Sequence, residues 1–167
     1  MENNVEYQKH LEKVKDWAGY LEGVPEELMT PEMCEIAVNK EGWVLQYVPE
    51  EFITQELCDV AFDKQSLNFE HVPDKYKTEE MCERAVNYGG FMLKYVPKEL
   101  KTPELCLDAV SKNSWNLQEV PEDMRTFEIC DIAVKQNGNA LQWVSKEFRE
   151  KLAEKYDIEL PSYGIVR

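Results

Sequence analysis

The chain has 167 residues, 43% of them hydrophobic, which suits one folded domain with a buried core and excludes a disordered or fibrous protein. It has 33 Asp and Glu against 19 Lys and Arg, and this formal net charge of -14 favours partners with a basic surface and disfavours direct binding of nucleic acid or anionic membranes. The start of the sequence has no basic segment followed by an apolar one, and no apolar run approaches the ~18 residues of a membrane span, so we expect a cytoplasmic protein.

The first predicted element is an N-terminal capping helix over residues 5–23. It keeps Trp17 and Leu21 from the pattern that follows, but it has His10 and Lys13 where that pattern has cysteine and alanine. Polar residues at these positions suit the end of a stack of helices, because the outermost face has no neighbour to cover it. We therefore interpret this stretch as an N-terminal cap.

From residue 24 onward, the sequence repeats every 24 residues without insertion or deletion. Several residue types recur in register, and a period of this length is typical of repeat architectures. The recurring residues are Cys34, Cys58, Cys82, Cys106 and Cys130; Ala37, Ala61, Ala85, Ala109 and Ala133; Thr30, Thr54, Thr78, Thr102 and Thr126; and Val24, Val48, Val72, Val96, Val120 and Val144. We expect five repeats at 24–47, 48–71, 72–95, 96–119 and 120–143.

Each repeat is predicted to contain two helices. Threonine is a good N-cap for the first helix, and Pro31 and Pro103 follow it at the first helical position. Pairs such as Asn113-Ser114 and Gly89-Gly90 mark the end of this helix, since Asn and Gly tolerate the left-handed conformation that ends many helices. A second, shorter helix ends at the valine that precedes each repeated proline.

The last predicted elements are a C-terminal capping helix over 144–157 and a tail over 158–167. A single pair of short helices cannot bury its apolar faces, so the repeats must stack on one another. The predicted fold is therefore all-α: an α-solenoid of five 24-residue helix-turn-helix repeats with N- and C-terminal capping helices. A leucine-rich repeat is the disfavoured alternative, because the repeats lack the alternating pattern of its strand and carry a capped helix in every copy.

The string Ala133-Val134-Lys135-Gln136-Asn137-Gly138-Asn139-Ala140-Leu141-Gln142-Trp143 resembles the tandem short helical repeats of a domain-of-unknown-function family that is common in giant viruses and some bacteria. The resemblance covers about residues 24–148. It implies a helical repeat fold, and it implies no activity, ligand or catalytic residue.

The sequence offers no catalytic, metal or cofactor-binding motif. The cysteines occupy equivalent places on successive helices, where a free thiol behaves as a small buried hydrophobe, and this spacing suits neither a zinc site nor a disulfide framework. The two histidines, His10 and His71, lie in different elements and give no triad, and no phosphate-binding glycine motif is present. We expect a protein that is not an enzyme and that needs no cofactor.

The first candidate for partner binding is a ridge along the short second helices. Two adjacent columns vary there while the repeat frame stays fixed, and one of them carries aromatic side chains, which contribute strongly to interfaces. The alternative is that these aromatic residues pack between repeats. The columns are Tyr47, His71, Tyr95, Glu119 and Trp143, and Gln46, Glu70, Lys94, Gln118 and Gln142.

The second candidate is an acidic edge in the turns after the repeated prolines. It consists of Glu26, Glu27, Glu50, Glu51, Asp74, Glu99, Glu122 and Asp123. A basic protein surface would dock there, unless the carboxylates serve only solubility.

These features favour a non-enzymatic protein–protein interaction scaffold with an acidic surface. The alternative is an acidic decoy that blocks a nucleic-acid-binding protein, as a phage or viral antagonist of a host defence would. Competition with DNA or RNA and a steep loss of affinity with salt would distinguish the decoy.

Overall fold

The protein is seen in a computed structural model that describes residues 2–160. All regular elements in that range are helices, so the predicted all-α class is confirmed. The α-helices are α1 (Glu2–Asp16), α2 (Pro31–Lys40), α3 (Gln55–Lys64), α4 (Glu79–Tyr88), α5 (Pro103–Lys112), α6 (Phe127–Gln136) and α7 (Lys146–Lys155). None of the helices within residues 2–160 is both long enough and apolar enough to cross a membrane.

The five helices α2 to α6 each have ten residues and begin 24 residues apart. A threonine precedes each of them, and its hydroxyl oxygen accepts a hydrogen bond from a backbone N–H of the first turn. In α5, for example, Leu105 N donates to Thr102 Oγ1 over 3.1 Å. This bond satisfies one of the donors that a helix start leaves without an intrahelical partner. The predicted threonine caps are thus confirmed.

The expected second helix of each repeat is a six-residue 3₁₀ helix. Its i to i+3 hydrogen bonds, such as Val48 N to Leu45 O over 3.1 Å, complete two tight turns before the proline prevents any continuation. These helices span Ala18–Gly23, Gly42–Tyr47, Ser66–His71, Gly90–Tyr95, Ser114–Glu119 and Gly138–Trp143. Three-residue 3₁₀ turns follow the prolines at Glu26–Leu28, Glu50–Phe52, Asp74–Tyr76, Lys98–Leu100 and Glu122–Met124.

The N-terminal cap is two elements, and not one helix over 5–23. α1 already includes Glu2 and ends at Asp16, and the 3₁₀ helix begins at Ala18. Trp17 between them has extended backbone angles (φ -138°, ψ 112°), which break the helix. The C-terminal cap, expected over 144–157, is α7. Of the predicted tail, residues 161–167 lie outside the described part of the chain.

The ends of the α-helices differ from the expectation of a left-handed residue. The cap residues Glu41, Gln65, Asn113 and Asn137 all have extended backbone angles, and among the described residues only Asp157 (φ 51°) combines a side chain with positive φ. The chain turns directly from the helix into the next 3₁₀ helix, and Asn113 N still donates to Ala109 O over 3.0 Å. The glycines nearby are therefore not required for a left-handed backbone.

The chain divides into two compact units, the first ending at Met81 and the second beginning at Cys82. In the first unit, α2 packs between α1 and α3, and the successive six-residue 3₁₀ helices also lie side by side. The second unit has the same arrangement, with α6 packed between α5 and α7. The repeated cysteines, alanines and valines form the cores, and all five cysteines are buried.

Candidate functional site

The outer column of the predicted ridge is exposed to solvent. Its five side chains occupy equivalent positions in the six-residue 3₁₀ helices, beside a buried leucine or phenylalanine at the preceding position. The column comprises Gln46, Glu70, Lys94, Gln118 and Gln142. These side chains are thus accessible to a partner.

The inner column of the ridge is half-buried throughout. Tyr47, His71, Tyr95, Glu119 and Trp143 each expose only part of their surface. Such residues both pack against the unit and offer one face or tip to solvent, as is usual for aromatic side chains with polar atoms. Packing therefore accounts for one part of each side chain, and the remaining part is accessible to solvent.

In both units, an aromatic ring of the ridge meets a tryptophan ring outside it. In the first unit, the Trp43 and Tyr47 rings stand nearly perpendicular (80°), with centroids 6.0 Å apart. In the second unit, Trp115 and Trp143 meet edge to face with centroids 5.1 Å apart. Trp115 is 48% exposed, so a large part of this pair faces solvent.

Charged members of the ridge interact with their neighbours along the chain. His71 Nε2 lies 3.8 Å from a carboxylate oxygen of Glu70, and Lys94 Nζ lies 4.3 Å from the centroid of the Tyr95 ring. A cation over an aromatic face is attracted by the negative potential of the ring. The face of the Tyr95 ring therefore interacts with the positive charge of Lys94.

All eight residues of the predicted acidic edge are exposed. They lie in or beside the three-residue 3₁₀ turns, where the preceding proline directs the chain along the surface. Two of them have a lysine partner: Lys75 Nζ lies 3.1 Å from Glu50, and Lys77 Nζ lies 2.9 Å from Asp74. The Lys75–Glu50 pair is exposed on both sides and contributes little to stability, so the Glu50 carboxylate remains available to a cationic partner. The Lys77 side chain is only 5% exposed, whereas its partner Asp74 is exposed.

Negative charge is concentrated in the first unit. Residues 1–81 contain 19 Asp and Glu against seven Lys and Arg, a formal charge of -12, whereas residues 82–167 contain 14 against 12, a formal charge of -2. The negative charge is therefore distributed unevenly along the chain, and most of it lies in the first unit. A basic partner would be attracted mainly to the first unit.

Trp17 is an exposed residue that the sequence prediction assigned only to the cap. It is 60% exposed, and its ring lies over Gly19, which occupies the position equivalent to Trp43 of the next repeat. The glycine leaves the space that the Trp17 ring uses. A tryptophan beside an acidic stretch was the sequence signal that could have identified Trp17 as a candidate. The approach of the Trp17 and Trp43 rings to Gly19 depends on the three-dimensional position of Trp43, which the sequence does not give.

A column of basic residues was also missed. Lys101 Nζ donates to Glu119 O over 2.7 Å, and Arg125 donates to Val120 O (2.9 Å), Trp143 O (2.8 Å) and Gln118 O (3.2 Å). These bonds satisfy carbonyls at the ends of the 3₁₀ helices, and burial lowers the pKa of the Lys101 amine. Lys101 and Arg125 also line an open surface cleft of about 700 Å³, but their donors serve the backbone.

The buried cysteines are poor nucleophiles. Burial raises the pKa of Cys34 to about 12, and that of Cys58 and Cys130 to about 11, because an apolar environment disfavours the thiolate. At neutral pH these thiols are protonated and behave as small apolar groups. Within the described residues, no group of three or more His, Cys, Asp or Glu side chains is arranged to hold a metal ion.

Comparison with known proteins relates one part of the chain to a family. No curated protein and no solved structure matches the sequence. Residues 102–149 match the family model described as "Domain of unknown function (DUF4116)". These residues run from the cap of α5 into α7, and in this segment the chain is similar to a family whose function is not defined.

Proposed function

We propose that this protein is a non-enzymatic scaffold that binds a protein partner with a basic surface. The separation between fixed and varying positions carries the proposal. Repeated residues such as Cys106 and Ala109 are completely buried, whereas the varying column that includes Lys94 and Gln118 is exposed. In a repeat protein, the frame serves packing and the exposed variation serves recognition.

We also propose that the 24-residue repeats stack as an α-solenoid. Five repeats would lie between the two caps, at 24–47, 48–71, 72–95, 96–119 and 120–143. The array would then resemble the tandem short helical repeats known from giant viruses and some bacteria. The equal spacing of α2 to α6 and the side-by-side packing of helices within each unit support this arrangement. The family match spans 48 residues, which is the length of two repeats.

A cytoplasmic location and a basic partner are part of the same proposal. The exposed carboxylates of the first unit, such as Glu26, Glu27 and Glu51, would steer a cationic surface toward the scaffold, and salt would weaken this attraction. The buried free thiols fit a reducing compartment, where no disulfide is formed.

An acidic decoy is the second candidate, and the charge of -12 in the first unit favours it. A decoy would occupy the groove of a nucleic-acid-binding protein, so DNA or RNA would displace it. A scaffold bound elsewhere on its partner would stay bound. Addition of a DNA oligonucleotide to the purified complex distinguishes the two functions.

The proposal is tested by affinity purification from the organism that encodes the chain, with quantitative mass spectrometry. The first variant replaces Glu26, Glu27, Glu50 and Glu51 by Gln. The control variant replaces Glu6, Glu12, Glu35 and Glu41 by Gln, which are exposed residues of the same unit outside the acidic edge. Both variants lose the same charge, so only the position of the carboxylates differs.

We expect a partner with a basic surface to be recovered with the wild-type protein and the control variant, and to be lost with the edge variant. Equal recovery by all three proteins, or recovery only of partners without a basic surface, would contradict the proposed role of the acidic edge.

A further inference from the structure

A cluster of aromatic rings and one carboxylate lies on the surface of the acidic first unit. It consists of Trp17, Trp43, Tyr47 and Glu22, and we call it the tryptophan cluster. The residues come from two neighbouring 3₁₀ helices, Ala18–Gly23 and Gly42–Tyr47, and from the residue before the first of them. The proposal below rests on the proposed function, because it names the chemistry of the partner at one place.

The two indole rings converge over Gly19. A Cβ atom on Gly19 would lie 2.5 and 2.7 Å from atoms Cζ2 and Cε2 of Trp17, and 3.0 Å from Cη2 of Trp43. Both rings therefore lie close to the same point of the backbone, where Gly19 has no side chain. Glycine is needed at this position because any side chain would separate the Trp17 ring from the backbone.

The third ring and the carboxylate complete the cluster. Tyr47 stands at 80° to Trp43, with the ring centroids 6.0 Å apart. Glu22 follows Gly19 by three residues, which is one turn of a 3₁₀ helix and places both residues on the same face. Desolvation and then the negative charge and hydrogen bonding of Glu22 raise the pKa of the Tyr47 phenol. The Glu22 carboxylate is therefore close to the Tyr47 hydroxyl.

Packing alone does not account for the exposure of this cluster. Trp17 leaves 60% of its surface in solvent, although a tryptophan that only fills a core would bury most of its ring. Perpendicular aromatic faces next to a carboxylate are suited to an organic cation, which is attracted by the negative faces of the rings and by the charge of the acid. The formal charge of -12 in this unit adds a long-range attraction.

We propose that the tryptophan cluster binds an arginine or lysine side chain displayed by the basic protein partner. The aliphatic part of that side chain packs on the Trp17 and Trp43 rings, and its cationic end approaches Glu22. The cluster then fixes the position of a partner that the acidic edge only attracts.

The second unit provides a natural comparison. Trp115 and Trp143 also meet there, with centroids 5.1 Å apart, but the outer ridge positions beside them are the amides Gln118 and Gln142, whereas Glu22 occupies the equivalent position in the first unit. This unit has a formal charge of only -2. The charge and the carboxylate therefore favour the first unit as the cation site.

Tryptophan fluorescence tests the proposal directly. The protein has four tryptophans, so the double variant Trp115→Phe/Trp143→Phe reports only on Trp17 and Trp43. The probes are short blocked peptides with arginine or lysine between glycine–serine spacers, and a peptide with citrulline, the neutral analogue of arginine. We expect the two cationic peptides to change the emission saturably, and the citrulline peptide to leave it unchanged.

Three variants in this background locate the site. Glu22→Gln removes the carboxylate, Trp17→Ala removes a ring, and Gly19→Ala displaces the exposed Trp17 ring without deleting any contact group. Trp17→Ala and Gly19→Ala should each weaken the binding of the cationic peptides by about fivefold or more, the value expected for loss of one partly desolvated cation–aromatic contact. Glu22→Gln should also weaken their binding, because it removes the negative charge that the cationic end approaches. Glu35→Gln is the matched control, since it removes one exposed charge from α2 of the same unit.

The outcomes separate the site from the general function. Equal weakening by Glu22→Gln and Glu35→Gln would overturn the cluster as a site, while attraction of basic partners by the acidic unit would stand. Absence of binding by both cationic peptides would also overturn it, and the purification with the acidic-edge variant would then judge the proposed function separately. Circular dichroism verifies the fold of Trp17→Ala, and the other two variants preserve the test if that protein unfolds.

Discussion

The side-chain amide of Asn68 fills the space over Gly42. Asn68 Nδ2 donates to the backbone carbonyl of Ala61 over 2.8 Å, and a Cβ atom on Gly42 would collide with this amide and lie 2.6 Å from the same carbonyl oxygen. No described glycine has a positive φ. Glycine is therefore required at position 42 by close approach of the next helix, and not by backbone conformation.

Replacement of Gly42 by alanine should destabilise the protein. The added methyl group must displace the Asn68 amide or move the α3 backbone, and overpacking of this kind costs about 1–3 kcal/mol. Gly23→Ala is the control, because a Cβ there meets nothing within 4 Å and the substitution reduces the freedom of the unfolded chain. Urea unfolding should show a clear loss of stability for Gly42→Ala and little change or a small gain for Gly23→Ala. Equal effects would contradict this explanation.

The same arrangement recurs two repeats later. Asn116 Nδ2 donates to Ala109 O over 2.8 Å and would lie 3.5 Å from a Cβ on Gly90. In full, the two columns are Gly42, Ser66, Gly90, Ser114 and Gly138, and Val44, Asn68, Met92, Asn116 and Ala140. Repeats with glycine in the first of these columns have an apolar residue in the second, and repeats with serine in the first have asparagine in the second. The 24-residue units thus alternate, which agrees with the 48-residue length of the family match.

Asn116→Leu should cost less than Gly42→Ala. The substitution leaves the Ala109 carbonyl with one remaining donor, Asn113 N at 3.0 Å, and leucine has the same number and branching of side-chain heavy atoms as asparagine. Loss of one buried hydrogen bond of this kind costs about 1 kcal/mol. Thermal unfolding of the variant checks this value. A loss as large as that of Gly42→Ala would mean that the amide has a further role in packing.

The parts of the fold that follow local rules could be predicted from the sequence. Thr102 caps α5 because its hydroxyl reaches a donor three residues away, and Cys106 and Ala109 lie on one helical stripe. The contact of Trp17 with Gly19 and the pairing of Asn68 with Gly42 could not be predicted in this way. They depend on a neighbouring element, and averaging over the five repeats concealed the alternation.

Arg125 shows a second limit of the sequence prediction. Its column contains Met29, Ile53, Lys77, Lys101, Arg125 and Arg149, so it changes from apolar to basic along the chain. A charge run of this kind is usually a solvated surface. In the structure, the Arg125 guanidinium joins carbonyls of two successive 3₁₀ helices, and the fork of donors that this requires is visible only in three dimensions.

Arg125→Met should destabilise the second unit by about 2 kcal/mol, because three carbonyls lose a charged hydrogen-bond donor while the aliphatic packing is largely kept. The stability of Arg125→Lys should lie between those of Arg125→Met and the wild type, since an ammonium group cannot reach all three carbonyls. Lys135→Met removes the same charge from an exposed position and is the control. Urea unfolding midpoints measure the stability of the three variants. Equal losses of stability for Arg125→Met and Lys135→Met would show that only the removed charge matters.

The buried thiols predict a loss of stability at alkaline pH. The pKa of Cys34 is about 12 in the folded protein against 9.0 for an ordinary thiol, because burial disfavours the thiolate. The contribution of this group is fully present below pH 9 and is lost as the pH rises toward 12, since the unfolded chain then releases a proton that the folded chain retains. Within this window each such thiol contributes a slope of about 1.4 kcal/mol per pH unit.

Cys34→Ala isolates this effect. The variant loses some packing at every pH, but the difference in unfolding free energy between wild type and variant should shrink between pH 9 and 11, as the wild-type thiol becomes unfavourable. A difference that stays constant over this range would show that Cys34 ionises equally in both states. Slow alkylation of the folded protein compared with the unfolded chain provides an independent measurement of the same burial.

The C-terminal helix α7 is joined to α6 through Asp131. Its carboxylate accepts hydrogen bonds from Lys155 Nζ (2.7 and 2.8 Å) and from the Tyr156 hydroxyl (3.0 Å), and the Lys155 bond is the main cause of the lowered pKa of Asp131. A lowered pKa means that this group stabilises the fold above the ordinary pKa of aspartate, near 3.8, and that the contribution is lost as the pH falls through the lowered value.

Lys155→Met should therefore raise the pKa of Asp131 toward 3.8, as measured by the carboxyl carbon resonance in an NMR titration. Tyr156→Phe should raise it less, because the hydroxyl contributes a smaller share than the lysine. Lys151→Met is the matched control: it removes an exposed charge from the same helix, and it should leave the resonance of Asp131 nearly unchanged. If Lys151→Met shifted the titration as much as Lys155→Met, the net charge of α7 would account for the lowered pKa, and the specific bond between α6 and α7 would not be needed to explain it.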